Sequence, residues 1–129
     1  MVEVFLERAT QLSDARDLVR DDAEFASATA LLSVHTAVAF NDALMIDLSG
    51  ARHKDPDHAR AVKATQMACA VKKINPSGLK HLRRLLSKKT DVSYGEERVT
   101  FDAATALAYS SQQFQGWALS ILKRGRRLS

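Results

Sequence analysis

The sequence of 129 residues predicts an all-α protein, an up-and-down bundle of about five helices. Three observations predict this fold class. Apolar residues recur at spacings of three and four along most of the chain, strand-like alternation is nearly absent, and the connections between periodic stretches are short. Because no repeat or linker divides the chain, we expect residues 1–129 to form one domain around one core, with residues 123–129 as a frayed basic tail.

The first two helices are predicted from their apolar spacing and their end signals. An amphipathic pattern predicts the first helix over residues 2–20, after which Asp21 and Asp22 offer caps for the second. The second helix is predicted over residues 23–49 and ends at Gly50, which can adopt a left-handed backbone. With a length of about 40 Å, this helix is expected to lie at the centre of the bundle.

Two further helices are predicted to begin at proline. The dipeptides Asp55-Pro56 and Asn75-Pro76 each place a capping side chain before a proline at the first helical position. The third helix is therefore predicted over residues 56–72 and the fourth over residues 76–89. Four leucines of the fourth helix are expected to turn inward: Leu79, Leu82, Leu85 and Leu86.

A polar turn over residues 90–94 is predicted to follow the fourth helix. Thr100 then caps the fifth helix, whose apolar residues repeat at helical spacing. Its inward face is predicted to consist of Ala104, Leu107, Ala108, Phe114, Ala118 and Ile121.

Charge is distributed unevenly within a net charge of +4. Residues 1–24 hold seven acidic and three basic side chains, a net charge of −4, whereas residues 51–98 hold twelve basic and five acidic ones, a net charge of +7. A basic surface of this kind can face a polyanion, because phosphate contacts dominate nucleic-acid affinity. The same charges can also be ordinary solvated helix faces.

The single cysteine, Cys69, lies in an apolar helical stretch and has no second cysteine with which to form an internal disulfide. We expect a buried structural thiol in a reducing compartment. The N-terminal residues are acidic, and no run approaches the roughly 20 apolar residues of a membrane helix. The sequence therefore predicts a cytoplasmic protein with neither a secretory signal nor a membrane span.

Two polar residues, His35 and Asp42, interrupt the apolar stripe of the second helix on the same face, with Asn41 beside one of them. One interpretation is a structural hydrogen-bond network inside the core, since buried polar groups need partners. The other is that Asp42 helps to form a polar site with the residues that follow the helix: Arg52, His53 and His58. Because the spacing of the histidines matches no metal motif, we expect neither a metal nor a cofactor.

The fourth helix carries a basic ridge that leads into the polar turn. Lysines and arginines at this spacing can follow a phosphate backbone, and the ring of Tyr94 can stack on a base. Alternatively, Tyr94 plugs the end of the bundle and its hydroxyl reaches Asp42. The candidate ligand-binding residues are Asp42, Arg84, Lys88, Lys89, Thr90, Asp91 and Tyr94.

Residues 33–62 and 79–118 resemble the small prokaryotic HEPN domains, and the resemblance extends over residues 23–122. It is carried by an alanine-rich long helix with an Asp-Ala-Leu segment, then Gly-x-Arg and Asp-His, and then a basic helix followed by Tyr-Gly, a valine and the last helix. HEPN domains are all-helical bundles, many of them dimeric, which occur in toxin–antitoxin and other defence systems and often act as metal-independent endoribonucleases. The resemblance implies a homodimer, RNA or a nucleotide as ligand, and an antitoxin or a nucleotidyltransferase as partner.

In active HEPN domains an arginine with a polar neighbour is followed by four to six intervening residues and then by a histidine. Here Lys89 stands in the place of the arginine, Thr90 in that of the polar neighbour and Tyr94 in that of the histidine. Lysine keeps the positive charge but loses the forked geometry of arginine. Tyrosine, which ionises only at alkaline pH, is a poor general base where histidine is well placed. The resemblance thus implies a degenerate ribonuclease motif with Lys89 and Tyr94 at the altered catalytic positions.

Three functional hypotheses follow from the sequence. The first, favoured by the altered motif, is a non-catalytic dimer that binds RNA, a nucleotide or a partner protein. The second is an active endoribonuclease toxin in which Lys89, Asp91, Tyr94 and His58 share the acid–base chemistry. The third is a bundle that serves only as a protein-interaction module.

Overall fold

The computed structural model describes residues 1–52, 54 and 56–126, and within them all regular structure is helical. The six α-helices are α1 (Val2–Val19), α2 (Ala26–Ser49), α3 (His58–Val71), α4 (Leu79–Ser87), α5 (Lys89–Tyr94) and α6 (Phe101–Arg126). A short 3-10 turn, Ala23–Phe25, precedes α2. The predicted all-α bundle is confirmed, with one helix more than the five expected.

Helix α2 lies at the centre, as predicted, because it contacts each of the other five helices. More than half of its 24 residues are buried, as expected for a helix covered on most sides. The Asp22 carboxylate accepts a hydrogen bond from the Glu24 backbone N–H at 2.9 Å in the turn before the helix. Gly50 ends the helix with a φ of 85°, in the left-handed conformation that the sequence predicts there.

The segment Ala23–Ser49 is by length and hydropathy apolar enough to cross a membrane, which differs from the expectation that no stretch comes close. Within the bundle, 72% of the 18-residue apolar window in this segment is buried. The core helix of a soluble protein meets the same criterion, so this property does not distinguish a core helix from a membrane span.

Helix α3 begins two residues later than predicted. It starts at His58, where the Asp57 carboxylate accepts a hydrogen bond from the Arg60 backbone N–H at 3.0 Å. The predicted cap, Asp55, lies outside the described residues. Near the other end of α3, Cys69 is fully buried and burial raises the pKa of its thiol. The expectation of a buried thiol is therefore confirmed.

Helix α4 begins at Leu79, three residues later than predicted, because a separate turn precedes it. In that turn Asn75 Oδ1 accepts a hydrogen bond from the Ser77 N–H at 3.1 Å. The predicted cap of the last helix is confirmed, since Thr100 Oγ1 accepts a hydrogen bond from the Ala103 N–H at 3.1 Å.

The predicted inward faces of α4 and α6 are confirmed. The ten buried side chains are Leu79, Leu82, Leu85, Leu86, Ala104, Leu107, Ala108, Phe114, Ala118 and Ile121. Helix α6 continues to Arg126, so residues 123–126 are helical where the sequence predicts a frayed tail. Residues 127–129 lie outside the described residues.

The segment after α4 is a helix and not the predicted polar turn. Helix α4 ends at Ser87, beyond which the Lys88 N–H donates to the Leu85 carbonyl at 3.1 Å and the chain changes direction. Helix α5, Lys89–Tyr94, then packs on α2, with Val92 half-buried against the core. A single apolar residue produces no periodicity, so the sequence pattern does not indicate this helix.

A buried arginine joins α1 to α6. Arg16 is 1% exposed, and its Nη1 donates to Ser111 Oγ at 2.9 Å while its Nη2 donates to Gln115 Oε1 at 2.8 Å. Its Nε lies 3.0 Å from the Asp17 carboxylate, and the Ser111 hydroxyl donates to the Ser33 carbonyl of α2 at 2.8 Å. We call these five residues the Arg16 network. Each of the three guanidinium nitrogens thus has a hydrogen-bond partner, as a buried charge requires.

Candidate anion-binding cleft

A cleft of about 380 Å³ opens where α2, α3, α4 and the start of α5 meet the connection between α2 and α3. We call it the Asp42 cleft. It is lined by Val38, Asn41, Asp42, Arg52, Lys54, Pro56, His58, Ala61, Leu82, Leu86 and Lys89. The sequence prediction of a polar site around Asp42, Arg52 and His58 therefore corresponds to residues that line one cleft. His53, the other residue of that prediction, lies outside the described residues.

Asp42 lies on the wall of the cleft with a partly accessible carboxylate. Its side chain is 17% exposed, and its Oδ2 is 4.0 Å from Arg52 Nη1. Within the described part of the chain this carboxylate makes no hydrogen bond, so both oxygens keep their capacity as acceptors. Burial raises the pKa of Asp42, and the charges of Arg52, Arg8 and Lys89 oppose the rise only in part.

The cations around the cleft are positioned by α1 and α5. The Arg52 guanidinium lies over the Phe5 ring, 5.4 Å from its centroid, and Arg8 approaches the same ring at 5.1 Å. Burial lowers the pKa of His35, and the charge of Lys89 lowers it further. The charge of Lys89 therefore lowers the pKa of both His35 and Asp42, the two polar residues that the sequence places on one face of α2.

The floor of the cleft is apolar and rigidly connected. Its apolar residues come from three helices: Val38, Ala61, Leu82 and Leu86. Beside them, Asn41 Oδ1 accepts a hydrogen bond from Thr65 Oγ1 at 2.8 Å, with Thr65 fully buried. This bond joins α2 to α3. It engages the side-chain oxygen of Asn41 within the scaffold, whereas the Asp42 carboxylate beside it makes no hydrogen bond within the described residues.

A second cleft of about 400 Å³ adjoins the first along the contact between α3 and α4. The two share His58 and Leu86 in their linings, and the second adds the cations Lys63 and Arg83. We call the two together the cationic furrow. Its basic residues are Arg52, Lys54, Lys63, Arg83 and Lys89, and Asp42 is the acidic residue of its described lining.

The remaining predicted site residues lie elsewhere. A larger groove of about 720 Å³, which we call the Arg84 groove, is lined by Arg84, Lys88 and Asp91. Its other lining residues are Val92, Gly95, Glu96, Glu97, Arg98, Val99, Thr100, Ala103, Ala106 and Leu107. The charges of its three basic and three acidic side chains cancel, so the lining of this groove has no net charge. The adjacent residues Lys88 and Lys89 are thus separated, with Lys88 in the balanced groove and Lys89 in the cationic furrow.

Tyr94 and Lys89, the two altered catalytic positions, lie at opposite ends of α5. Five residues of helix correspond to a rotation of about 140° between their side-chain directions. Tyr94 is 85% exposed, so the alternative in which it plugs the bundle end is wrong. Neither Tyr94 nor the exposed Thr90 lines the furrow or the Arg84 groove.

Two cations of the furrow, Lys54 and Lys63, belong neither to the candidate ligand-binding residues nor to the basic ridge of the fourth helix, which includes Arg83. Their one signal is the net charge of residues 51–98, which does not distinguish a cleft from a solvated face. No group of three or more His, Cys, Asp or Glu side chains in a metal-binding arrangement occurs among the described residues. His53 and Asp55 do not belong to that described part.

The sequence and structure of the chain were compared with known proteins. No protein-family model, no curated protein and no solved structure matches it.

Proposed function

We propose that this chain is a HEPN-like helical protein of a defence or toxin–antitoxin type that binds RNA in the cytoplasm without cleaving it. The resemblance supplies the class of protein and, with it, the expectation of a homodimer. The furrow supplies the binding surface. This assignment shifts the RNA-contacting residues from the predicted turn to the contact between α3, α4 and α5.

The observation that carries the proposal is the charge of the cationic furrow. Five cations line two adjoining clefts whose described lining contains a single carboxylate, that of Asp42. Within the described residues, Arg52 is the one of these five with an ion pair, at 4.0 Å from Asp42. The other four cations have no ion-pair partner in the described part of the chain, and such a row of cations favours a polyanion, because each phosphate contact releases condensed counterions.

Binding without cleavage is supported by the placement of the motif positions. Lys89 reaches the furrow, whereas Tyr94 is exposed outside it. General acid–base catalysis needs the two groups within hydrogen-bonding reach of one reacting phosphodiester. Within one chain, the rotation along α5 separates them.

Electrophoretic binding of single-stranded RNA across a salt series tests the proposal. The double variant Lys54→Ala with Lys89→Ala removes two furrow cations, and we expect a loss of affinity of about tenfold at low salt. The slope of log K against log salt should become less steep by about 1.4, since each phosphate contact to a single strand contributes about 0.7.

The matched control is Lys72→Ala with Lys123→Ala, which removes the same charge from two exposed positions outside the furrow. It should leave the salt slope unchanged. Equal losses in the two double variants would point to nonspecific charge attraction, and absence of RNA binding by wild type at low salt would refute the proposed function. RNA that shortens during incubation with wild type would favour the endoribonuclease hypothesis instead.

A further inference from the structure

The Asp42 cleft contains more than a phosphate-binding site requires. Cations alone are sufficient to hold a phosphate. The cleft adds an apolar floor and a half-buried carboxylate, and a carboxylate repels an anion. An occupant that suits all three features has an anionic group for the cations, a flat apolar surface for the floor and hydrogen-bond donors for Asp42.

We propose that the Asp42 cleft is a guanine-selective nucleotide subsite, in which the Asp42 carboxylate accepts hydrogen bonds from N1–H and the 2-amino group of the base. Arg52, Lys54 and Lys89 hold the adjoining phosphate. This inference rests on the proposed function, for which it names the preferred base.

The choice of guanine follows from the donors and acceptors on the Watson–Crick edges of the bases. A carboxylate offers two acceptor oxygens side by side and no donor. Adenine and cytosine each present one donor next to an acceptor, and uracil presents one donor between two acceptors. Guanine presents two adjacent donors, which a carboxylate pairs with in a bidentate geometry. A ligand that is itself cationic is excluded by the arginine and lysines around the rim.

The exposed fractions of the lining side chains indicate which part of the ligand lies deeper in the cleft. The Asp42 side chain is 17% exposed, whereas that of Arg52 is 46% exposed and Lys54 is exposed as well. The carboxylate therefore lies deeper than these cations, with the apolar floor beside it. A base fits at the inner end and its phosphate at the mouth, where a strand can continue along the furrow. The volume of about 380 Å³ falls within the usual range for small-molecule sites, about 300 to 1,000 Å³.

The hydrogen-bonding state of Asp42 supports an external partner. The Oδ1 atom of its neighbour Asn41 accepts a hydrogen bond from Thr65 Oγ1 at 2.8 Å, whereas the nearest nitrogen of Arg52 stays 4.0 Å from the Asp42 carboxylate. A half-buried carboxylate without hydrogen bonds is costly. A guanine edge would supply two donors at this position.

Calorimetric titration with nucleoside 5′-monophosphates tests the inference on the full chain. We expect GMP to bind about 5- to 150-fold more tightly than AMP or UMP, the range of a good bidentate contact. IMP lacks the 2-amino group but keeps N1–H, so its affinity should lie between those of GMP and AMP. The variant Asp42→Asn should lose the preference for GMP, while its affinity for AMP should not fall because a repelling charge has been removed.

The control is Asp47→Asn, which removes an exposed carboxylate from the same helix and should leave the preference for GMP unchanged. Equal affinities of wild type for GMP, AMP and UMP, no binding of GMP at millimolar concentration, or a retained preference in Asp42→Asn would each overturn the inference. If salt-dependent RNA binding persists without a preference for guanine, the inference fails and the proposed function stands. If GMP is preferred but RNA does not bind, the proposed function fails and the preference of the cleft for guanine stands.

Discussion

The Arg16 network and the Asp42 cleft are two polar centres built on the same central helix, and they differ in how the charged group is satisfied. Arg16 is 1% exposed and its guanidinium donates to Ser111, Gln115 and Asp17. Asp42 is 17% exposed and has its nearest cation, Arg52, at 4.0 Å. A buried charge with complete hydrogen bonding fixes the packing of helices, whereas an accessible charge with open acceptors can bind a ligand.

The carboxylates of the two centres, Asp17 and Asp42, have pKa values that shift in opposite directions. Burial raises the pKa of Asp17, but hydrogen bonds and charge attraction from Arg16 and Arg20 outweigh it, and the net pKa lies below the ordinary value of 3.8. Burial also raises the pKa of Asp42, and there the more distant cations leave the net value above 3.8. Close hydrogen bonds at Asp17 and a gap at Asp42 account for the opposite directions.

The largest effect is expected from removing Arg16. Arg16→Met keeps much of the side-chain volume but leaves the buried Ser111 and the Gln115 side chain without their partner. We expect the free energy of unfolding to fall by about 2 to 4 kcal/mol, measured by urea denaturation. The control Arg20→Ala removes a partly exposed arginine that bonds to Asp17 and Gln112, and should cost less than about 1 kcal/mol. Equal costs would mean that burial does not distinguish the two arginines.

An intermediate effect is expected at the hydrogen bond beneath the cleft. Thr65→Val removes the hydroxyl that donates to Asn41 Oδ1 at 2.8 Å and leaves a buried acceptor unpaired. The free energy of unfolding should fall by about 1 to 2 kcal/mol, with RNA affinity nearly unchanged, because Thr65 is buried and does not line the furrow. Adding Asn41→Leu should recover part of the loss in a double-mutant cycle. A large drop in RNA affinity in correctly folded Thr65→Val would instead place Asn41 in the binding site.

Most of the helical framework could be predicted from the sequence, because it depends on local signals. The leucines of α4 and the inward face of α6 repeat at helical spacing, and Gly50 and Thr100 are ordinary end signals. Helix α5 could not be predicted, since Val92 alone anchors it to the core. Arg16 could not be assigned to the interior either, because its partners in α6 lie 95 and 99 residues away along the chain.

The site was predictable only in part. The sequence identifies Asp42 as a polar interruption of an apolar stripe and predicts Arg52 and His58 near it. The sequence grouped Lys88 with Lys89 because they are adjacent, but the break after Ser87 directs them into different clefts. Lys63 enters the furrow through the packing of α3 on α4, and Lys54 through the connection between α2 and α3; both placements depend on tertiary contacts, which leave no local pattern.

The smallest effects are expected from Asp17→Asn and Asp42→Asn. The changes in folding stability that these two substitutions cause at pH 7 should have opposite signs. A lowered folded-state pKa gives stability that is present above pH 3.8 and lost as the pH falls through the folded value, so Asp17→Asn should destabilise the protein at pH 7. A raised pKa gives stability that is present below pH 3.8 and lost as the pH rises through the folded value. Asp42→Asn should therefore be at least as stable as wild type at pH 7.

Thermal unfolding of both variants at pH 7 and pH 4 measures this difference. The change in stability caused by each substitution should be smaller at pH 4 than at pH 7, because pH 4 is close to the ordinary carboxyl pKa of 3.8. A loss of stability in Asp42→Asn at pH 7 would mean that Arg52 holds Asp42 as firmly as Arg16 holds Asp17. Asp42 would then be a structural ion pair, and a ligand would have to displace Arg52 before it could reach the carboxylate. The sign of this one change therefore separates a closed polar centre from an open one.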